Sequence, residues 1–454
     1  DFRNMTQLKN KNKAHAWVVS VDMGYGHQRA AYPLRHLAYK GVLNANTYPG
    51  IPQEDRKIWK TTRRFYEFIS RFKQVPIIGN EIFELYDTVQ SIPAFYPKRD
   101  LSEPTFQVKQ VMSLIRKSHW GEHLIAKLAK KPLPLICTFF APAFMAEYYQ
   151  YPGDIYCLAT DTDISRAWVP QYPSRSRIKY FAPTYRVADR LRLYGVRQHN
   201  IFLTGFPLPI ENTGPPDMRR LKQDILYRLV NLDPKRRYAA RHNEEIHEHL
   251  GYRRLPRHAM HPLMLTFAVG GAGAQREIAV TVLRSLRQRI LQHQISYTMV
   301  AGIHNEVSKF FRDAVRDLGL MSELGKHIHI IFANSKNEYF AKFNEALLTT
   351  DILWSKPSEL SFYTALVIPL IIAPPIGSQE RFNRKWVESI GSGAVQEDPE
   401  YTHEWLFDWI HSGWLAEAAI QGFVEAPKFG TFNIAKIISE KPSEMKVMGT
   451  VLPY

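Results

Sequence analysis

The stretch WVVSVDMGYGHQRAAYPL, residues 17–34, combines three structural signals in a fixed order. Its first five residues predict a buried β-strand, and the residues from Gln28 onward are typical of a helix. Gly24 and Gly26 allow the backbone to turn sharply and to approach a ligand closely. His27 and the unpaired amides of the helix start would then lie at one edge of a sheet, which indicates a binding or catalytic site. A plain strand-to-helix turn with a surface histidine is the alternative.

A second strand, glycine and helix sequence occurs in the middle of the chain. Residues 261–269, HPLMLTFAV, predict a buried strand, and they run into GGAGAQRE at 270–277 and a periodic helical segment from Ile278 to Leu291. Neither glycine segment has the full dinucleotide spacing followed by an acidic ribose ligand, which argues against an oxidoreductase. Two such openings in one chain predict two α/β domains.

Length and composition agree with two domains. The chain has 454 residues, of which 45% are apolar and 13% aromatic, enough for two large cores. It has two cysteines, Cys137 and Cys157, and no charged-then-apolar leader, so we expect a cytoplasmic protein with two buried thiols. No apolar run reaches the roughly 18 residues needed to span a bilayer, so association with a membrane is expected to be peripheral.

The net charge of +16 favours a polyanionic partner or an anionic surface. One basic stretch, residues 51–75, interleaves its cations with aromatic residues. We expect Trp59, Phe65 and Phe68 to lie on one side of a helix at the interface of an anionic membrane. A core helix with a solvated basic face is the alternative.

A second basic stretch, residues 217–257, is low in apolar residues and is flanked by prolines. It predicts a basic helical linker or insertion at 211–260, between an N-terminal domain at 1–210 and a C-terminal domain at 261–454. The chain has no zinc-finger spacing, no RNA-recognition strand signature and no recognition-helix unit, which argues against nucleic acid as the partner.

Acidic residues follow a third predicted strand. Residues 155–160, IYCLAT, end in Asp161-Thr162-Asp163, and Trp168 follows closely. Carboxylates at the carboxyl end of a strand face the crevice in which open α/β sheets bind ligands. One of these aspartates could therefore act as a base.

Two further strands near residues 351 and 369 also end in polar residues. The first runs into Ser358 and Glu359, and the second into Gly377, Ser378, Gln379 and Glu380. Strands that end side by side in polar residues mark a place where a ligand would bind. Helix capping or loop solvation is the alternative for each of these residues.

These motifs together resemble those of the diacylglycerol glycosyltransferases, the group of monogalactosyldiacylglycerol synthase and the processive lipid glucosyltransferases, which is related to the N-acetylglucosaminyltransferase of lipid II synthesis. The resemblance covers roughly residues 15 to 210 and 260 to 400, and it depends on the order of short motifs. In chain order they are GYGH at 24–27, Thr160-Asp161 through Trp168, Pro183-Thr184, TGFP at 204–207, GGAG at 270–273 and GSQERFN at 377–383.

The resemblance implies a GT-B fold, an α/β architecture of two facing Rossmann-like domains with an interdomain cleft. It places His27 beside the reaction centre, where a neutral imidazole can take a proton from an acceptor hydroxyl. Asp161 or Asp163 is the rival base, and Gly24, Gly26 and Trp168 are expected to line the acceptor side. The family usually has three glycines before the histidine, and Met23 and Tyr25 interrupt them here.

On the donor side, the resemblance implies that Gly270, Gly271 and Gly273 let backbone amides approach the diphosphate, so that its charge is stabilised without a metal or another cofactor. Glu359 is the expected ribose ligand, and Gln379 and Glu380 are expected to contact the sugar, with Ser358, Gly377 and Ser378 beside them. The spacing of Asp161 and Asp163 matches a metal motif of another fold, and we interpret it as coincidental.

The sequence thus predicts an inverting hexosyltransferase that uses a UDP-sugar and a hydroxyl acceptor, with uracil and a lipid such as diacylglycerol implied by the resemblance. Three alternatives stay open: a transferase with a soluble acceptor, a UDP-sugar epimerase, and a non-catalytic protein that binds nucleotide sugars.

Overall fold

The computed structural model describes residues 15–72, 92–251, 255–268, 275–375 and 378–439. The chain forms two compact units. The first contains the residues up to Leu208 and returns at Phe429; the second contains Pro209–Pro375 and Glu380–Lys428.

Within the described residues, twelve strands form two sheets, and all the pairings between them are parallel. The strands are β1 Trp17–Ser20, β2 Leu43–Asn44, β3 Leu135–Cys137, β4 Ile155–Leu158, β5 Lys179–Ala182, β6 Ile201–Leu203, β7 Met264–Ala268, β8 Ser296–Gly302, β9 Ile328–Phe332, β10 Ile352–Ser355, β11 Leu370–Ile372 and β12 Gly393–Val395.

Eighteen α-helices are seen in the same part of the chain. They are α1 Tyr25–Ala31, α2 Gln53–Phe72, α3 Phe106–Lys117, α4 Glu122–Ala129, α5 Phe140–Tyr148, α6 Tyr185–Leu193, α7 Ile210–Thr213, α8 Arg219–Leu232, α9 Arg237–Arg241, α10 Asn243–Leu250, α11 Arg276–Ser285, α12 Arg287–Leu291, α13 Asn305–Asp317, α14 Lys336–Ala346, α15 Ser378–Ser389, α16 Thr402–Ser412, α17 Trp414–Glu425 and α18 Gly430–Ser439. Short 3-10 turns, among them Arg166–Trp168, Met321–Glu323 and Glu359–Leu366, complete the connections.

The first sheet has the strand order β2-β1-β3-β4-β5-β6. The chain first crosses from β1 to β2 on one side and then returns to β3 on the other side, so the order reverses between β1 and β3. Ligands of open α/β sheets bind outside the carboxyl ends of the strands at such a reversal. The glycine turn that carries His27 follows β1, and Thr138 follows β3 directly.

The second sheet has the order β12-β11-β10-β7-β8-β9, and its reversal lies between β7 and β10. The segment that follows β7 contains the second glycine run, and Lys356 follows β10 directly. Strands β1, β3 and β4 in the first sheet and β8, β10 and β11 in the second are buried at every position, as expected of parallel strands covered by helices on both faces. The predicted α/β class with two Rossmann-like units is confirmed.

The predicted linker at 211–260 differs from what the structure shows. Helices α7 to α10 belong to the second unit, whose boundary lies at Pro209. Arg228 on α8 is buried, and its guanidinium donates to the carbonyl oxygens of Thr350, Leu366 and Leu347 at 2.7, 2.8 and 2.9 Å. The helical character of this region was predicted, but its basic composition did not indicate that α8 packs into the core of the second unit.

The C-terminal end also differs from the predicted domain limits, because helix α18 belongs to the first unit. Asn433 donates to the carbonyl oxygen of Thr204 at 2.9 Å, and the Thr431 hydroxyl donates to that of Leu208 at 2.6 Å. A Cβ on Gly430 would lie 2.1 Å from the carbonyl oxygen of Phe206, so only glycine permits this approach.

The aromatic side of α2 was predicted at a lipid interface, and for Trp59 this is wrong. Its side chain is 3% exposed and packs edge-on against Trp120 with a centroid distance of 4.6 Å. The side chains of Phe65 and Phe68 lie outside the described residues. No helix in the described ranges has the length and apolar character needed to cross a bilayer. Cys137 and Cys157 are buried free thiols, as predicted.

Candidate functional site

The glycine turn after β1 presents His27 at the carboxyl edge of the first sheet. Gly24 stands before α1 with φ of 116°, a conformation that side chains other than glycine rarely adopt. A Cβ at this position would meet no atom within 4 Å, so the requirement for glycine comes from the backbone conformation. Helix α1 begins at once, and Gly26 and His27 lie in its first turn.

The imidazole of His27 is held by the neighbouring strand end. Its Nδ1 atom lies 2.8 Å from the carbonyl oxygen of Thr138 and 3.4 Å from the Thr160 hydroxyl. A carbonyl oxygen only accepts, so the first contact assigns the proton to Nδ1. The neutral ring then carries its lone pair on Nε2, the form required of a general base.

Aromatic side chains surround this imidazole. Phe139 contacts it edge-on with centroids 4.9 Å apart, and Trp168 lies 6.1 Å away. Phe140 packs against Trp168 at 5.7 Å. Trp168 thus lies beside His27, and the rings form an apolar wall beside the imidazole. Such a wall limits access of water to the imidazole.

The two predicted rival bases have different environments. Asp163 is 1% exposed, and its carboxylate accepts from Nε and Nη2 of Arg190 at 2.8 Å each, with Arg186 3.4 Å away. Burial is the largest single influence and lowers the pKa of Arg190, but the hydrogen bonds and charge of Asp163, together with Tyr194, outweigh it and raise that pKa. Asp163 is therefore a structural ion-pair residue rather than a base or an acceptor ligand. Asp161, two residues earlier, is only partly buried.

Sequence reasoning missed the contacts that tie the glycine turn to its surroundings. The backbone amide of Asp22 donates to the Asn46 side chain at 2.7 Å, and the Asp22 carboxylate accepts from Arg63 of α2 at 2.9 Å. Arg63 belongs to the basic stretch that the sequence did identify. The signal in the sequence for this contact was an acidic residue in the turn, Asp22, together with a cation in the following helix, Arg63.

Of the predicted donor-side residues, Ser358 and Glu359 follow β10, and Gln379 and Glu380 follow β11. Gly270, Gly271, Gly273 and Gly377 lie outside the described residues, as does the side chain of Ser378. Immediately after the second glycine run, the Gln275 side-chain amide donates to the carbonyl oxygen of Pro374 at 2.8 Å. Gln275 is therefore held beside the loop that follows β11.

The loop after β10 supplies charged and polar groups at the same edge. Lys356 forms an ion pair with Glu380 in the first turn of α15, and Gln379 precedes it. Ser358 caps the turn at Glu359–Leu366 by accepting from the Leu360 amide, and Glu359 itself is 8% exposed. Asn383 is buried and donates to the carbonyl oxygen of Pro357 at 3.2 Å.

These contacts weaken one donor-side prediction, that of Ser358, and add a residue that was not predicted, Lys356. The hydroxyl of Ser358 serves as a helix cap, the alternative noted from the sequence. Lys356 was missed, although its place directly after a buried strand gave a signal. A lysine paired with the first turn of a helix is well suited to a phosphate, because the ammonium group supplies positive charge and the helix start supplies unpaired amides.

Comparison with known proteins gives three kinds of match. A family described as a domain of unknown function, DUF6938, matches residues 243–437. The chain is 20% identical to the processive diacylglycerol beta-glucosyltransferase of Bacillus licheniformis over 396 residues, 85% of this chain and 84% of that protein. The enzyme of the same name from Bacillus subtilis is 20% identical over 397 residues. The predicted resemblance to the diacylglycerol glycosyltransferases is confirmed.

The chain is also similar to solved structures. One is the UDP-GlcNAc 2-epimerase of Neisseria meningitidis bound to UDP-GlcNAc, with a TM-score of 0.43, 13% identity and coverage of 79% of this chain and 87% of the other. Another is Acinetobacter baumannii MurG, with a TM-score of 0.37, 12% identity and coverage of 73% and 76%.

Proposed function

We propose that this protein transfers a hexose from a UDP-sugar to the hydroxyl group of a lipid acceptor such as diacylglycerol, with inversion at the anomeric carbon. The observation that carries the proposal is the contact between His27 Nδ1 and the carbonyl oxygen of Thr138 at 2.8 Å. It orients a base of the correct tautomer at the reversal of the first sheet, where ligands of this architecture bind.

His27 acts as the general base in this mechanism. Nε2 takes the proton of the acceptor hydroxyl while the hydroxyl oxygen forms a bond to the anomeric carbon of the donor. The bond between that carbon and the diphosphate oxygen breaks, and its electron pair leaves with UDP. A single displacement from the opposite face inverts the configuration.

The leaving diphosphate requires stabilisation of negative charge. Lys356 directly follows β10, which borders the reversal of the second sheet. A lysine and backbone amides preorganised at a helix start favour the charge that develops on the departing oxygen. In the resting protein Glu380 pairs with Lys356 and holds the ammonium group in place.

Two observations support a lipid acceptor. The relatives that match over most of both chains are named for diacylglycerol. Helix α2 also presents exposed cations, at Arg56, Lys57, Lys60, Arg63 and Arg64, and one of them pairs with Asp22 of the glycine turn. Clustered cations attract an anionic membrane surface, which would bring the acceptor lipid to this side of the unit.

The proposal is tested with the purified full chain, mixed vesicles of phosphatidylglycerol and diacylglycerol, and UDP-glucose, UDP-galactose and UDP-GlcNAc in turn. We expect UDP release that depends on diacylglycerol, together with a new glycolipid of inverted anomeric configuration. UDP release with soluble sugars but not with lipid would overturn the lipid acceptor. An altered sugar formed from the donor alone would indicate an epimerase, and binding without turnover a non-catalytic protein.

A further inference from the structure

Three side chains outside the proposed site converge at the opposite edge of the second sheet. His293, Glu323 and His327 each present one nitrogen or carboxylate oxygen, and these three atoms all lie within 4.8 Å of one another. His293 precedes β8, and the other two residues precede β9. The cluster is therefore at the amino ends of the strands, whereas the donor-side residues are at the carboxyl ends.

We propose that this cluster is a binding site for a zinc-class divalent metal ion, coordinated by one nitrogen of each histidine and by the Glu323 carboxylate. Two imidazoles and a carboxylate are a ligand set that Zn²⁺ commonly takes, with a fourth position left for water. Ligand atoms around tetrahedral zinc lie about 3.3 Å apart. His293 Nε2 and Glu323 Oε2 are already 3.6 Å apart.

The Glu323 carboxylate is the observation that points to a ligand. Its side chain is 10% exposed, and its Oε2 atom is buried and accepts no hydrogen bond from any residue that the structure describes. The other oxygen, Oε1, accepts from the Ser322 hydroxyl at 3.2 Å. A buried carboxylate oxygen that makes no hydrogen bond is costly, and a metal ion on that oxygen removes the cost.

The two imidazoles are positioned by contacts of their own. The rings of His293 and His327 stack with centroids 4.3 Å apart and an angle of 16° between their planes. His327 Nδ1 lies 2.9 Å from the hydroxyl of Ser296, a residue that is 1% exposed. Histidines that bind metals usually make such a contact through the nitrogen that does not bind the ion, because it fixes the ring.

The backbone brings the three residues together in a defined way. The amides of Lys326 and His327 both donate to the carbonyl oxygen of Glu323 at 3.0 Å, so one tight turn holds two of the ligands. His293 directly follows Gln292, the C-cap of helix α12, and has φ of 56° at a position where glycine or asparagine is usual. Its ring is exposed, which gives an ion a path to the buried carboxylate.

A metal at this place would join the end of α12 to the turn before β9 and would stabilise the second unit. It would take no part in the proposed transfer chemistry. Removal of the metal is therefore expected to lower thermal stability without abolishing glycosyl transfer, and the inference stands or falls independently of the proposed function.

The test titrates ZnCl₂ into the full chain after dialysis against a chelator, with calorimetry for affinity and elemental analysis after gel filtration for stoichiometry. We expect one Zn²⁺ per chain and a rise in Tm with Zn²⁺ concentration. Glu323→Gln and His293→Asn are expected to weaken binding at least about ten-fold, a loss typical of altered metal sites. Asparagine tolerates the backbone conformation at position 293, so this second variant should fold even if the first does not.

His119→Asn is the matched control. His119 also has a left-handed φ, of 51°, and pairs with a glutamate, Glu122, at 2.8 Å, but it does not belong to the three-residue cluster. Its substitution should leave Zn²⁺ affinity and the zinc-induced rise in Tm unchanged. Absence of stoichiometric binding, or equal affinity in His293→Asn and the unsubstituted chain, would overturn the proposal. Equal weakening by the control would do the same.

Discussion

The Nδ1 atom of His27 lies 2.8 Å from the carbonyl oxygen of Thr138. The two residues follow neighbouring strands, β1 and β3, at the point where the strand order of the first sheet reverses. A backbone carbonyl cannot be altered by side-chain substitution, and it does not titrate, so the tautomer of this histidine is set by the fold itself. The assignment of the lone pair to Nε2 follows from this contact.

Replacement of His27 by asparagine is expected to remove the base and to lower kcat/KM for transfer to the lipid acceptor by roughly 100-fold to 10,000-fold. UDP binding, measured by thermal shift, should change little, because the residue is placed on the acceptor side. The measurement is diacylglycerol-dependent UDP release with saturating donor.

His36→Asn is the control for this prediction. His36 also contacts a carbonyl oxygen through Nδ1, that of Pro33 at 2.9 Å, but it is exposed and lies in the turn after α1. Activity near that of the unsubstituted chain is expected. A His27→Asn protein that retains full activity would rule out the proposed base, and Asp161 would then be the residue to replace.

The two aspartates after β4 are expected to respond in opposite ways. Asp163→Asn breaks a buried pair with Arg190 and should cost about 3 to 5 kcal/mol in the free energy of unfolding, because the guanidinium loses its countercharge. Asp161→Asn, at a partly exposed position, should cost far less. Urea unfolding followed by circular dichroism compares the two, and equal losses of stability would contradict the separate roles assigned here.

The ends of the strands could be predicted from the sequence, but the environments of individual side chains could not. The strands before His27, Asp161 and Lys356 were found because parallel strands are continuous apolar runs, and their carboxyl ends are bounded by glycine or polar residues. Asp161 and Asp163 could not be separated, since the partner of Asp163 is Arg190, distant in the chain. The same limit applied to Trp59, whose partner Trp120 is 61 residues away by number.

Trp59→Ala tests the correction to α2. A tryptophan that fills a core position leaves a cavity when it is truncated, and we expect a loss of about 3 to 5 kcal/mol in the free energy of unfolding. A tryptophan at a lipid interface would instead change vesicle binding and leave stability nearly unaffected. Urea unfolding and vesicle flotation of the same variant distinguish the two roles, and unchanged stability would contradict the core assignment.

Asp351 makes the stability of the second unit depend on pH. Burial raises its pKa to about 6, although His261, Arg228 and hydrogen bonds from Met264 and Asn231 partly oppose the shift. The unfolded carboxyl has a lower pKa, so the folded chain holds the extra proton between about pH 4 and 6. The contribution of the protonated Asp351 carboxyl to the free energy of unfolding is therefore fully present below about pH 4 and is lost as the pH rises through about 6.

Replacement of Asp351 by asparagine should remove that dependence. The difference in unfolding free energy between variant and unsubstituted chain should grow in favour of the variant from pH 4 to pH 7, by at most about 3 kcal/mol. Asparagine retains an oxygen that can accept from Met264 and Asn231. Urea unfolding at both pH values measures the change, and a difference independent of pH would contradict the raised pKa.

Electrostatic attachment through the exposed cations of α2 is the last expectation, and it does not depend on Trp59, which is buried. Lys57→Gln with Lys60→Gln removes two exposed cations while leaving the contact between Arg63 and Asp22 in place. At about 1 kcal/mol per cation near an anionic surface, binding to phosphatidylglycerol vesicles should weaken about 30-fold, and high salt should weaken binding of the unsubstituted chain. Lys109→Gln with Lys117→Gln removes the same charge from exposed positions of α3, and flotation should then change little. Equal losses in both double variants would mean that net charge, and not the face of α2, governs attachment.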